Sequence, residues 1–111
     1  MDLFGAIADP SRRAMLDILR EGERPAGDIV EAFPQLTQSG VSRHLKVLLD
    51  AGLVEARASG QRRIYSLNAE KLAQVDAWIG QYREFWPTKL RALARHLDKR
   101  KDRGARPGGR P

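Results

Sequence analysis

Pro34 and Gly52 enclose the segment that leaves this chain the fewest choices. Pro34 prevents continuation of any helix before it, Thr37 is a good N-terminal cap for a new one, and Gly52 stands where a left-handed residue ends it. Within residues 37–54, Val41, Leu45, Leu48 and Leu49 recur at helical spacing, while Gln38, Ser39, Ser42, Arg43 and Lys46 fall on the other side. One face suits a core. The other carries only groups that hydrogen-bond to polar edges or attract phosphate, the combination needed by a helix inserted into the major groove of DNA.

The segments on either side support that helix. Residues 2–8, with Leu3, Phe4 and Ile7, read as a short apolar helix. Asp9 caps a second helix that starts at Pro10 and runs to about Arg20, with Ala14, Met15, Ile18 and Leu19 as its stripe and Gly22 as its stop. Both read as structural. Residues 27–33 form a third short helix that buries Ile29, Val30 and Phe33, and residues 34–36 make the turn into the fourth. Two short helices joined by a tight turn, the second polar on its outer side, make a helix-turn-helix.

Residues 53–58 and 62–67 read as strands, with residues 59–61 as the hairpin turn between them. Arg57, Gln61, Arg62 and Arg63 gather around its tip. A β-ribbon tipped with arginines after a recognition helix is a wing, placed to grip phosphates or enter the minor groove. Asn68 then caps a last helical region in which Leu72, Val75, Ile79, Tyr82, Trp86, Leu90, Leu93 and Leu97 make one long stripe, widened by Trp78 and Phe85. So small a core cannot cover it, and the economical partner is a second copy of the chain. Pro87 predicts a kink or break at residues 83–87.

Composition limits the rest. With 111 residues and 41% hydrophobic content there is room for one domain, residues 1–97, followed by a basic tail, 98–111, expected to be disordered. The net charge of +6 is uneven: residues 1–36 hold 4 basic and 7 acidic side chains, residues 37–67 hold 5 and 2, and residues 98–111 hold 6 and 2. The polar helix face and the wing thus sit in a locally basic segment. Absence of cysteine excludes thiolate metal sites and thiol redox sensing from these residues. No apolar run approaches the roughly 20 residues of a membrane span, and no charged, apolar, cleavable leader opens the chain, so a soluble, cytoplasmic protein is expected. The fold class is mainly α with a small β-hairpin, a winged helix-turn-helix with helical dimerisation elements at both ends.

Four motifs in order, Ala8-Asp-Pro-Ser-Arg-Arg, Gln38-Ser-Gly-Val-Ser-Arg-His-Leu-Lys-Val-Leu, Ala51-Gly-Leu-Val and Gly60-Gln-Arg-Arg-Ile-Tyr-Ser-Leu, resemble the ArsR family of bacterial winged-helix repressors over residues 3–97. The stretch with Tyr82-Arg-Glu-Phe-Trp86 looks like its metal-independent members. The resemblance implies a homodimer that binds a double-stranded operator near its own or a neighbouring promoter and blocks transcription. It also implies a dimer interface made by the first helix (Leu3, Phe4, Ile7) and the last helical region. Many members sense metals through cysteines on the third helix or His and acidic residues on the last; here residues 24–30 lack cysteine and the last region holds one histidine, His96.

Blander readings stand beside these. Arg43 and Lys46 are also compatible with a merely solvated face, though the company of Thr37, Gln38, Ser39 and Ser42 and the following wing favours DNA. His44, between the two faces, suits a phosphate or base contact, a partly buried residue bonded to backbone, or, least well, a catalytic base; nothing supplies an enzyme's catalytic set or cofactor motif. Gly40 weakens its helix by about 1 kcal/mol relative to alanine, offset by close approach to the DNA backbone. His96 with Asp98, or Asp76 with Glu70, make a poor zinc site, so no metal and no cofactor are expected. Trp78, Tyr82, Phe85 and Trp86 serve as core and dimer interface, or as a pocket for an unidentified small-molecule effector. A winged helix can also bind protein or RNA, but such a module more often shows apolar residues where this chain has its polar face.

Overall fold

The computed structural model describes residues 2–83 and 85–104, with side chains as far as Leu97. In chain order the elements are α1 (Leu3–Ala6), α2 (Pro10–Arg20), β1 (Arg24–Pro25), α3 (Ala26–Ala32), α4 (Gln38–Asp50), β2 (Val54–Ser59), β3 (Arg62–Leu67), α5 (Ala69–Gly80) and α6 (Phe85–Gly104). They fall into two units, Met1–Val75 and Asp76–Pro111.

Local chemistry sets most boundaries of the first unit. Asp2, Asp9 and Thr37 each accept a backbone N–H from three residues on, at 2.8, 3.0 and 2.9 Å, satisfying donors that have no partner within their helices. Asp2 is therefore a cap, and α1 is shorter than the helix expected over residues 2–8. At the end of α4, Gly52 turns left-handed (φ 81°) and donates to Leu49 O at 2.9 Å, while Leu53 N–H returns to Leu48 O at 3.0 Å. That closure carries Leu53 into the core with Leu48, both fully buried.

The sheet has the order β1-β3-β2, all antiparallel. Its β2–β3 register runs from Val54 opposite Leu67 to Ser59 opposite Arg62. The hairpin loop is thus the pair Gly60-Gln61, not the three-residue turn that 59–61 suggests, and the first strand lies one residue later than 53–58. Gly60 has φ 64°, as a glycine at the first position of a two-residue hairpin turn does. No sequence signal announces β1. It has two residues, one of them proline, and is a strand only because Arg24 and Pro25 pair with Tyr65 and Ile64. Proline is tolerated there because β1 is an edge. It also moves the start of α3 to Ala26, with Phe33 as C-cap.

Met15, Leu19, Ile29, Phe33, Val41, Leu45, Leu48, Leu53, Val54 and Tyr65 lie in one buried cluster, onto which Leu3, Ile7 and Leu72 pack in part. Full burial of aliphatic side chains of this size stabilises by about 1.5–3 kcal/mol each. Five elements, α1 through Ala6, α2, α3, α4 and the sheet, share this core, and it holds α4 with its polar side outward.

In the second unit, α5 ends at Gly80, after which Gln81, Tyr82 and Arg83 donate to carbonyls three residues back. This tighter winding precedes α6, where Pro87 is the third residue, a position whose N–H has no helical partner to lose. The outcome of Pro87 is thus a break rather than a kink. α6 continues to Gly104, past the start of the basic stretch at residue 98: lysine and arginine are good helix formers, and extending an existing helix avoids the nucleation penalty. Residues 105–111 lie outside the described residues.

Candidate nucleic-acid interface

The candidate face is built by the caps and core of α4. Val41, Leu45 and Leu48 point inward, and Thr37, Gln38, Ser39, Ser42, Arg43 and Lys46 are exposed. Thr37 is partly engaged, its Oγ1 accepting from Gly40 N–H and lying 3.3 Å from Ser39 Oγ. A Cβ on Gly40 would stand 3.1 Å from that same Oγ1. The glycine therefore makes room for the cap. Lys46 is exposed and pairs loosely with Asp50 at 3.5 Å.

The wing meets α4 across a cleft of about 340 Å³ lined by Ser42, Lys46, Leu49, Asp50, Arg63 and Tyr65. Arg63 lies with its guanidinium carbon 5.7 Å from the centre of the Tyr65 ring, a cation–π arrangement that pre-orients the cation. Gln61 and Arg62 are exposed at the tip. Arg57 differs from them. Its guanidinium makes a fork on Glu23, with contacts of 2.8 and 2.9 Å, and that bond holds the Glu23 carboxyl below its ordinary pKa and raises that of Arg57. Both groups are exposed, so the pair fixes geometry more than it adds stability.

His44 is partly buried at the flank of the open face, with one ring nitrogen engaged inside the protein. Its Nδ1 lies 3.2 Å from a terminal nitrogen of Arg12 and 4.0 Å from Asp9 Oδ2. Asp9 itself accepts the Arg12 N–H, and this bond, with Coulombic attraction by His44 and then by Arg12, lowers the carboxyl's pKa. Arg12, Asp9, Glu23 and Tyr65 thus belong to the site's framework although sequence patterns did not single them out for it. The only hint is local, the position of Arg12 three residues after a cap; its meeting with a residue 32 positions away has no one-dimensional signature.

The residues expected at a dimer interface divide. Leu3, Ile7 and Leu72 are half-buried against the first unit's core, and Val75 is half-buried. Phe4, Ile79, Tyr82, Trp86, Leu90, Leu93 and Leu97 are exposed. Around the break, Trp78–Tyr82 and Phe85–Trp86 meet edge to face with ring centres 5.2 and 5.5 Å apart. Among the described residues no group of three His, Asp or Glu side chains is placed to hold a metal, and no helix is long and apolar enough to cross a membrane.

Comparison with known proteins extends this geometry. Residues 7–57 match the model of a helix-turn-helix domain family. The chain is 38% identical over 78 residues to the transcriptional repressor SdpR of Bacillus subtilis (strain 168), covering 70% of this chain and 86% of the repressor. Among solved structures, a possible transcriptional regulator for arsenical resistance superposes with a TM-score of 0.71 at 34% identity, over 86% of this chain and 96% of the other. A homodimeric winged helix-turn-helix DNA-binding domain from Mycobacterium bovis, described as a possible ArsR-family transcriptional regulator, does so with a TM-score of 0.58 at 32% identity, over 72% and 73%.

Proposed function

Because the chain belongs to the ArsR family of winged helix-turn-helix DNA-binding transcriptional regulators, we propose that it is a homodimeric repressor acting on its own or a neighbouring promoter. The observation that carries this reading is the exposed polar face of α4 sharing a cleft with the arginine wing. In the major groove, Arg43 matches the paired acceptors of guanine and Gln38 the donor and acceptor of adenine. Thr37, Ser39, Ser42, His44 and Lys46 supply further contacts, most of them to phosphate. Gln61, Arg62 and Arg63 hold the adjacent backbone, and Arg57 joins them by exchanging the Glu23 carboxylate for a phosphate.

The exposed stripe of α5 and α6, together with Phe4 of α1, supports pairing with a second copy, as does the homodimeric relative. A two-fold dimer reads two half-sites one or more helical turns apart. We assign the protein to the metal-independent type. These residues contain no cysteine, and His96 is the one histidine of the last helical region, which leaves an unidentified small-molecule effector or the protein's own abundance as the signal. Residues 1–97 form the functional domain, and the basic residues after them add non-specific affinity.

Selection from a pool of random-sequence duplexes tests the reading. A recurrent two-part motif is the expected result, with Arg43→Ala weakening binding of the selected duplex by roughly 10- to 100-fold, equivalent to about 1–3 kcal/mol. Recovery of no motif, with Arg43→Ala harmless, would leave only sequence-independent binding.

A further inference from the structure

Arg12 ties three helices together. Its Nε donates to Ala6 O at 2.7 Å and a terminal nitrogen to Gly5 O at 3.3 Å, both carbonyls at the end of α1, while the other terminal nitrogen is 3.2 Å from Nδ1 of His44 on α4. A guanidinium carries five N–H donors, no acceptor and a permanent charge. Nδ1 of His44 therefore receives this bond with its lone pair, and the proton of the neutral ring sits on Nε2. The competing arrangement, Nδ1–H donating to Asp9, is too long at 4.0 Å to be a hydrogen bond.

Nε2–H has no hydrogen-bond partner among the described residues, and the side chain is 22% exposed. Position 44 lies between Arg43, on the outer face, and Leu45, in the core. A donor at that flank of a groove-bound helix meets the sugar-phosphate wall rather than the base pairs. A bond to phosphate carries no sequence information, but it fixes the register in which the neighbouring side chains read.

We propose that Arg12 is a positioning residue for DNA recognition: it holds His44 in the Nε2–H form and aims that one donor at a phosphate oxygen of the operator. The proposal rests on α4 being the helix that reads DNA. Anchoring of the same guanidinium on α1 carbonyls fixes where the donor stands, so a change at α1 reaches the DNA contact through a single side chain.

Long-range ¹⁵N–¹H NMR of the two imidazoles in the intact protein, with His44→Asn used to assign His44, reads the tautomer directly. The expected spectrum has Nε2 protonated and Nδ1 bare, with mixed tautomers in Arg12→Lys, which keeps the charge but not the fork. An Nδ1–H ring, or the same tautomer mixture in wild type and Arg12→Lys, overturns the proposal. In binding, the probe is the duplex enriched by the wild-type protein from a random pool, with phosphates ethylated singly. His44→Asn keeps an acceptor for Arg12 but loses Nε2–H, and it should lose one interfering phosphate per half-site and about tenfold in affinity. Arg12→Lys should lose the same phosphate. If His44→Asn keeps the wild-type pattern while Arg43→Ala weakens binding, this proposal fails and the reading of α4 stands; if Arg43→Ala is also without effect, both fall.

Discussion

Helices α4 and α6 carry the same kind of pattern and meet opposite fates. In α4, Val41, Leu45 and Leu48 are 0, 2 and 0% exposed; in α6, Leu90, Leu93 and Leu97, likewise three or four residues apart, are 56, 52 and 50% exposed. Periodicity establishes that a helix has an apolar side. What covers that side depends on which surfaces the rest of the chain brings to it, and for α4 these come from α2, α3 and the sheet. The described apolar side chains of α6 stay exposed, and this contrast supports the proposal of a second copy.

The covered side offers the largest effect. Leu48→Ala leaves a void in a fully buried site and should destabilise the protein by about 2–5 kcal/mol in urea unfolding. A loss below about 1 kcal/mol would mean that the site collapses around the smaller side chain. The uncovered side should respond in association instead. Trp86→Ala is expected to raise the dimer dissociation constant about 30-fold or more in sedimentation equilibrium, as truncation of an aromatic anchor does. An unchanged constant would break the contrast, because the stripe would then need some other cover.

A smaller effect isolates the helix start from the core. Thr37→Ala removes the Oγ1 that accepts Gly40 N–H and should cost about 1 kcal/mol of stability. The smallest concerns pH. Asp9 and Glu23 both have lowered carboxyl pKa values in the folded first unit, Asp9 chiefly from the Arg12 N–H and Glu23 from Arg57. Their contribution is therefore complete above the ordinary carboxylate value of about 4 and is lost as pH falls through the lowered values, since the unfolded chain binds protons first. Thermal midpoints followed downward from neutral pH should decline in that window, and less steeply in Asp9→Asn, which keeps a capping oxygen.

Much of the fold was legible because its signals are local. The caps at Asp9, Thr37 and Asn68, the stops at Gly22 and Gly52, the stripe of α4, the hairpin and the break near Pro87 each depend on residues a few positions apart, and each stands close to where its chemistry calls for it. The sequence alone therefore determined the helix-turn-helix, the wing and the two-faced character of α4, since hydrogen-bonding reach and helical period are properties of short segments. Tertiary structure decided the rest. It made a strand of Arg24-Pro25, gave Arg57 to Glu23 and set Arg12 against His44, pairings across 34 and 32 positions that exist only once the core has fixed where those side chains stand.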